Sequence, residues 1–262
     1  MPAHADIDVR MKTYYEQILK TRLMRRTPVA IRIDGKAFHT FSKGFNEPFD
    51  QCLMTAMQET MKYLCENIQG CVFGYTQSDE ISLILIDYQT FRTAAWFDYE
   101  VQKMCSIGAS MATMQFNRSF AAQVEEFRSL HEFADDWTSD LSILNHHYEA
   151  ALQRGAMFDC RCFNIPKEEV TNLIYSRQID ASRNSVQMVG HTYFTDSELH
   201  RKNVSMIQDM LHEQVGINWN DLPIPQKRGT ACLKVNGKWV LDYEMPILKG
   251  EDRKYVDNLI NL

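Results

Sequence analysis

Cys71-Val72-Phe73-Gly74-Tyr75 and Ile81-Ser82-Leu83-Ile84-Leu85-Ile86 are two apolar runs with Thr76-Gln77-Ser78-Asp79-Glu80 between them. Runs this short and this apolar, joined by five polar residues, predict an antiparallel hairpin with a polar tip. The tip carries the acidic pair Asp79-Glu80. Upstream, Pro28 introduces Val29-Ala30-Ile31-Arg32-Ile33, a β-branched run that stops at Asp34-Gly35 and reads as a strand entering a turn. Between these strands, Leu53, Met57, Met61 and Leu64 recur at helical spacing, with Asp50 as the candidate cap and Gly70 as the stop.

Working outward, helical spacing is expected over roughly 6–26, 91–116, 166–180 and 198–215. Met157-Phe158-Asp159-Cys160-Arg161-Cys162-Phe163 alternates as a fourth strand, and Asn236-Gly237 sits between two further strand segments within 231–243. The region 118–150, acidic and aromatic with Glu125, Glu126, Asp135 and Asp136, receives no assignment. Strand, helix, strand, strand, helix, strand is the order of a ferredoxin-like split βαβ unit, so an α+β fold with an antiparallel sheet is expected. In that topology strands one and three are neighbours, one sheet face is covered by helices and the other is left open. The expected division is a catalytic region over 1–165 and a helical and hairpin region over 166–262.

Composition narrows the class. Lys and Arg total 28 against 34 Asp and Glu, a net charge of −6, so any nucleic-acid contact must be local. Lys20, Arg22, Arg25 and Arg26 form one basic run, which also reads as a solvated helix face. The seven cysteines are odd in number and hold no CxxC pair, which disfavours both a disulfide framework and a zinc site. No apolar stretch reaches the length of a membrane span, and MPAHADIDVRMK lacks a signal-peptide core. A cytoplasmic protein with no membrane partner is expected.

The chemistry is expected at the carboxylates. If strands one and three are adjacent, Asp34 meets Asp79-Glu80 at one end of the sheet. Converging carboxylates repel unless a cation lies between them, and Mg²⁺ takes one or two carboxylates together with substrate phosphates. Gly35 leaves its backbone open to close approach. The same residues also read as ordinary turn chemistry, since Asp-Gly and Ser-Asp are common between strands.

Arg32-Ile33-Asp34-Gly35-Lys36-Ala37-Phe38-His39, followed by Gly74-Tyr75-Thr76-Gln77-Ser78-Asp79-Glu80, resembles the tRNA-His guanylyltransferase family, and within it the Thg1-like proteins. Trp96-Phe97 with Lys103, Phe158-Asp159-Cys160-Arg161, Arg177-Gln178-Ile179-Asp180 and Lys227-Arg228-Gly229-Thr230 extend the resemblance in order over about 30 to 230. The resemblance implies a polymerase-like palm that adds nucleotides to the 5′ end of tRNA in the 3′–5′ direction. It implies two Mg²⁺ ions held by Asp34, Asp79 and the Gly35 carbonyl, with Glu80 as the neighbouring catalytic acid. Arg32, Lys36, Ala37, Phe38, His39, Ser78 and Lys103 match positions around the nucleotides. The implied partners are the tRNA 5′ end and acceptor stem, ATP, GTP and other NTPs, and other copies of the chain in a homotetramer. Two segments depart from the family pattern. Ser182-Arg183-Asn184-Ser185-Val186-Gln187-Met188 replaces a His-Ile-Asn-Asn-Leu-Tyr-Asn-like stretch, and Glu47 stands where a basic residue is usual. The first departure favours repair-type activity over strict tRNA-His selectivity, and the second, a lost cation, is expected to alter binding of the activating nucleotide.

Overall fold

The structure, a computed structural model, describes residues 3–18, 20–134 and 136–261; Asp135 lies outside them. In chain order its elements are α1 (Ala3–Met11), β1 (Val29–Gly35), α2 (Phe38–Phe41), α3 (Gln51–Asn67), β2 (Cys71–Gln77), β3 (Glu80–Leu85), α4 (Val101–Ala134) and α5 (Ser139–Arg154). There follow β4 (Phe158–Asn164), α6 (Lys167–Tyr193), α7 (Asp196–Leu199), α8 (Val204–Met210), α9 (Ile224–Arg228), β5 (Thr230–Val235), β6 (Lys238–Asp242) and α10 (Lys254–Ile260). One sheet of six strands runs in the order β4-β1-β3-β2-β5-β6, with all of its pairings antiparallel. Its first four strands have the split βαβ order expected from the sequence, and the C-terminal hairpin continues the same sheet through β2 and β5.

Side-chain alternation along the strands sorts the residues onto two faces. Ile31, Ile33, Ile81 and Leu83 join Met57, Met61 and Leu64 of α3 and Met104, Phe116 and Phe120 of α4 in the main core. Asp50 caps α3 as its spacing predicts, accepting from Leu53 N at 2.9 Å, and it also accepts from the Tyr148 hydroxyl at 2.6 Å. That second bond ties the start of α3 to α5, giving the buried carboxylate two roles. The second face is not open along its whole length, contrary to expectation. Ala30, Phe73, Tyr75, Ile84 and Ile86 are covered by Val170 and Ile174 of α6 and by Val256 and Ile260 of α10. Covering so many apolar side chains is favourable at roughly 25 cal/mol per Å². The end carrying Arg32 and Asp34 escapes it, as do Val235 and Val240 at the far edge of the sheet.

Several expected helices differ in extent. The opening helix gives way to a short π-turn at Lys12–Glu16 and does not reach residue 26. Arg22 pairs instead with Asp98, and Arg25 with the fully buried Asp87 and with Asp98, so half of the basic run is spent on intramolecular ion pairs. The helix expected from 91 begins at Val101, because Phe97, Asp98 and Tyr99 adopt positive φ, which helical residues do not. It continues to Ala134, and α5 occupies most of the remainder of the unassigned 118–150 region. The third helix runs on to Tyr193, and the fourth is broken into α7, α8 and a π-turn at Leu211–Val215. No described helix is long and apolar enough to cross a membrane.

Candidate active site

Strands β1 and β3 place the acidic residues together. Asp34 faces Glu80 in register, and Gly35 N donates to Asp79 O at 3.1 Å. The hairpin tip reduces to Ser78 and Asp79, since Gln77 pairs with Glu80. Ser78 has φ +49, a conformation usually left to glycine in two-residue turns, and its hydroxyl donates to Asp79 Oδ1 at 2.9 Å. Burial raises the Asp79 carboxyl above its ordinary range, the Ser78 bond opposes the rise, and the charge on Asp34 adds to it. Asp34 is partly exposed and has Arg161 at 3.9 Å, which also reaches Asp159 at 3.2 Å. Two neighbouring carboxylates, one of them penalised by burial, suit a cation better than they suit each other.

Glu80 has a different environment. Its buried carboxylate is paired with Arg32 and lies 3.0 Å from Arg177 Nε of α6. Burial raises its carboxyl, and the charges of Arg177 and then Arg32 hold the rise in check. Arg177 is in turn held by Asp180 at 2.6 Å, one helical turn away. The approach of Arg177 to Glu80 is ionic and poorly aligned, so Arg177 Nε, Arg32 Nε and Glu80 Oε1 remain without a hydrogen-bond partner. All three atoms are buried, so their missing partners cost stability, and the guanidinium charges of Arg32 and Arg177 serve first to hold the buried Glu80 carboxylate.

The other residues expected at the site are distributed unevenly. Lys36 follows directly, with its N donating to Met157 O at 2.8 Å and its side chain exposed. Ala37 takes left-handed φ at the start of α2, and exposed His39 has Nε2 3.1 Å from Thr40 Oγ1. The Phe38 ring turns inward against Phe41, Phe116 and Phe158, so only its backbone is presented to a ligand. That ring explains Gly35 independently of any metal, because a Cβ there would stand 2.2 Å from Phe38 Cδ2. Lys103 lies apart. Its ammonium sits 5.6 Å from the Phe97 ring centroid, and its helix packs on the face opposite the Arg32 and Asp34 side chains. Among the described residues no group of three His, Cys, Asp or Glu is placed to hold a metal, so Asp34 and Asp79 would need backbone or substrate oxygens to complete a set.

Beside the hairpin tip lies a cleft of about 500 Å³ between the start of α3, the second half of α6 and α9. Its lining is partly apolar, with Phe45, Pro48, Phe49 and Met188, and partly polar, with Gln77, Ser78, Asn184 and Gln226. Glu47 and Ser185 also line it, so both departures from the family pattern fall on one cavity. Gly229 closes its floor with φ +86, and a Cβ there would meet Thr76 O at 2.6 Å. The cleft was not foreseen from the sequence, nor was the part played by Arg177 and Asp180. Their helical spacing of three residues was the available signal, but nothing in it says that the pair reaches a sheet.

An open antiparallel sheet with two carboxylates side by side at the ends of its central strands, guanidinium groups beside them and a nucleotide-sized cleft adjoining them belongs to a nucleotidyltransferase. The profile described as tRNAHis guanylyltransferase (Thg1) matches residues 8–166, and the chain belongs to that family. The solved structure of a bacterial Thg1-like protein in complex with ATP is 39% identical, covers 98% of this chain and 100% of its own, and superposes with a TM-score of 0.81. A bacterial Thg1-like protein in complex with GTP is 37% identical over 98% of this chain and 100% of its own, with a TM-score of 0.73. Among curated proteins, the uncharacterized protein R259 of Acanthamoeba polyphaga mimivirus is 29% identical over 78% of this chain and 69% of its own length.

Proposed function

We propose that the chain adds nucleotides to the 5′ end of tRNA in the 3′–5′ direction, templated by the opposite strand. The observation that carries this reading is the junction of Asp34 and Asp79 at Gly35, beside the guanidinium charges of Arg32 and Arg177. Two Mg²⁺ ions fit the site: two carboxylates of like charge, one of them destabilised by burial, present hard oxygen donors at one strand end. Asp34, Asp79 and the Gly35 carbonyl would hold them, and when bound they supply charge stabilisation for phosphoryl transfer. Arg32, Arg177 and Lys36 bind and orient phosphate oxygens, and the cleft takes the ATP or GTP base between its apolar walls.

For a tRNA with a 5′-monophosphate, that phosphate attacks the α-phosphorus of ATP or GTP, the bond to pyrophosphate breaks, and the end is capped by a nucleotide. The 3′-hydroxyl of an incoming NTP then attacks the 5′-phosphorus, loses its proton and expels AMP or GMP. A 5′-triphosphorylated end needs no activation and expels pyrophosphate. Base pairing selects the incoming nucleotide, so the protein supplies position and charge. The departure at 182–188, whose Asn184, Ser185, Gln187 and Met188 line the cleft, supports 5′-end repair rather than exclusive addition to tRNA-His. Unpartnered apolar side chains at Ile7, Tyr14, Tyr15 and Ile18 support self-association into a homotetramer, and seven free cysteines suit the reducing cytoplasm. The test is incubation with 5′-triphosphorylated tRNA lacking its first nucleotide, Mg²⁺ and labelled NTPs. Extension by the complementary nucleotide is expected. Cyclised NTP would indicate a nucleotide cyclase, and untouched NTP a silent RNA-binding protein.

A further inference from the structure

Two segments flanking the acidic strand ends carry an excess of positive charge. Residues 36–46 hold Lys36 and Lys43 with no carboxylate, and residues 146–157 hold Arg154 with Glu149 as their one acid. Glu149 is occupied by Arg128 at 3.0 Å. The segments meet: Arg154 donates to Thr40 O at 2.5 Å, and the Gly44 backbone lies against the His147 ring, 2.6 Å from the place of a Cβ. His147 and Arg154 stand two turns apart on one side of α5, about 10 Å along its axis. The Lys36 N bond to Met157 O fastens the near end of this surface beside Asp34 and Gly35.

Lys36, His39, Lys43 and Arg154 are exposed. Among the described residues, Lys36, Lys43 and Arg154 take part in no salt bridge. In the N-terminal basic run, by contrast, Arg22 and Arg25 are spent on Asp87 and Asp98. Cations left unpaired in a chain of net charge −6 make a local anion surface where the whole-molecule field would not.

We propose that Lys43, His147 and Arg154 continue outward from Lys36 as a track for the RNA sugar-phosphate backbone, holding the strand whose 5′ end lies at Asp34 and Asp79. The proposal rests on the function proposed above. A track of about 10 Å is longer than a free triphosphate, and it starts at the rim of the nucleotide cleft, which Ser42 and Phe45 line on either side of Lys43 and Gly44. The occupant is therefore a polymer rather than a free triphosphate. Each phosphate contact on a single strand steepens the fall of log affinity with log salt by about 0.7.

The test is fluorescence anisotropy with 3′-labelled tRNA from about 50 to 200 mM KCl, comparing the unaltered protein, Lys43→Glu and Lys43→Glu with Arg154→Ala. ATP binding is measured on the same three proteins. The single variant, whose side chain makes no recorded contact, guards against a folding effect. The double variant is expected to bind tRNA about tenfold or more weakly, with a slope shallower by about 2 and ATP binding intact. Unchanged tRNA affinity and slope would overturn the track, as would ATP binding lost in parallel. Failure of the unaltered protein to bind tRNA would overturn the track and the proposed function together.

Discussion

The two faces of β1 differ more than their shared backbone suggests. On one, Ile31 and Ile33 are fully buried under α3 and α4. On the other, Ala30 is covered, Arg32 is half-covered and Asp34 reaches solvent. The first face holds its shape through packing, where every side chain has apolar neighbours. The second holds charge in place through ion pairs that leave donors unsatisfied, an arrangement that costs stability and is kept where chemistry needs it. A strand can do both because successive side chains point to opposite faces.

Substitutions that break one face without the other sharpen this contrast. Phe116→Ala empties the centre of the aromatic cluster around Phe38, Phe41 and Phe158. Chemical denaturation should show a loss of about 3–5 kcal/mol, with the surviving folded fraction still able to bind nucleotide. Arg177→Gln leaves buried Glu80 with Arg32 alone. The expected cost is about 2 kcal/mol, below the figure for a fully broken buried pair, with a larger proportional fall in nucleotide affinity than in stability. Gly35→Ala joins the two faces, because its methyl group would strike the Phe38 ring from the strand that carries Asp34. A loss of about 1–2 kcal/mol is expected from the displaced ring. At the other extreme, Lys254→Ala removes a partner from Glu251 in a pair that is mostly exposed. Its effect should stay within about 0.5 kcal/mol.

The central strands, the hairpin and the meeting of Asp34 with Asp79 were readable because periodicity and turn residues act locally and the split βαβ order constrains the rest. Two kinds of feature were not. Phe97, Asp98 and Tyr99 take positive φ, which residue spacing does not signal, so the spacing over 91–100 pointed to a helix that begins only at Val101. Arg177 and Asp180 entered only through the family resemblance, with no role attached, and the packing of α6 on the second face reveals that Arg177 reaches Glu80 and is held by Asp180. Resemblance brought Lys103 into the expected nucleotide set, whereas the fold places its helix behind the sheet. Phe38 matched a site position by sequence while its ring serves the core.

The measurement that bears most directly on the charged face is nucleotide addition to 5′-triphosphorylated tRNA by Asp79→Asn, alongside its thermal midpoint and tRNA affinity. Asparagine preserves the size of the side chain and removes one charge from the pair. Addition should fall by about 10³-fold or more, on the scale of lost transition-state charge stabilisation, while folding and tRNA binding persist. Addition at an undiminished rate by a folded Asp79→Asn protein would contradict the assignment of the chemistry to the Asp34 and Asp79 pair.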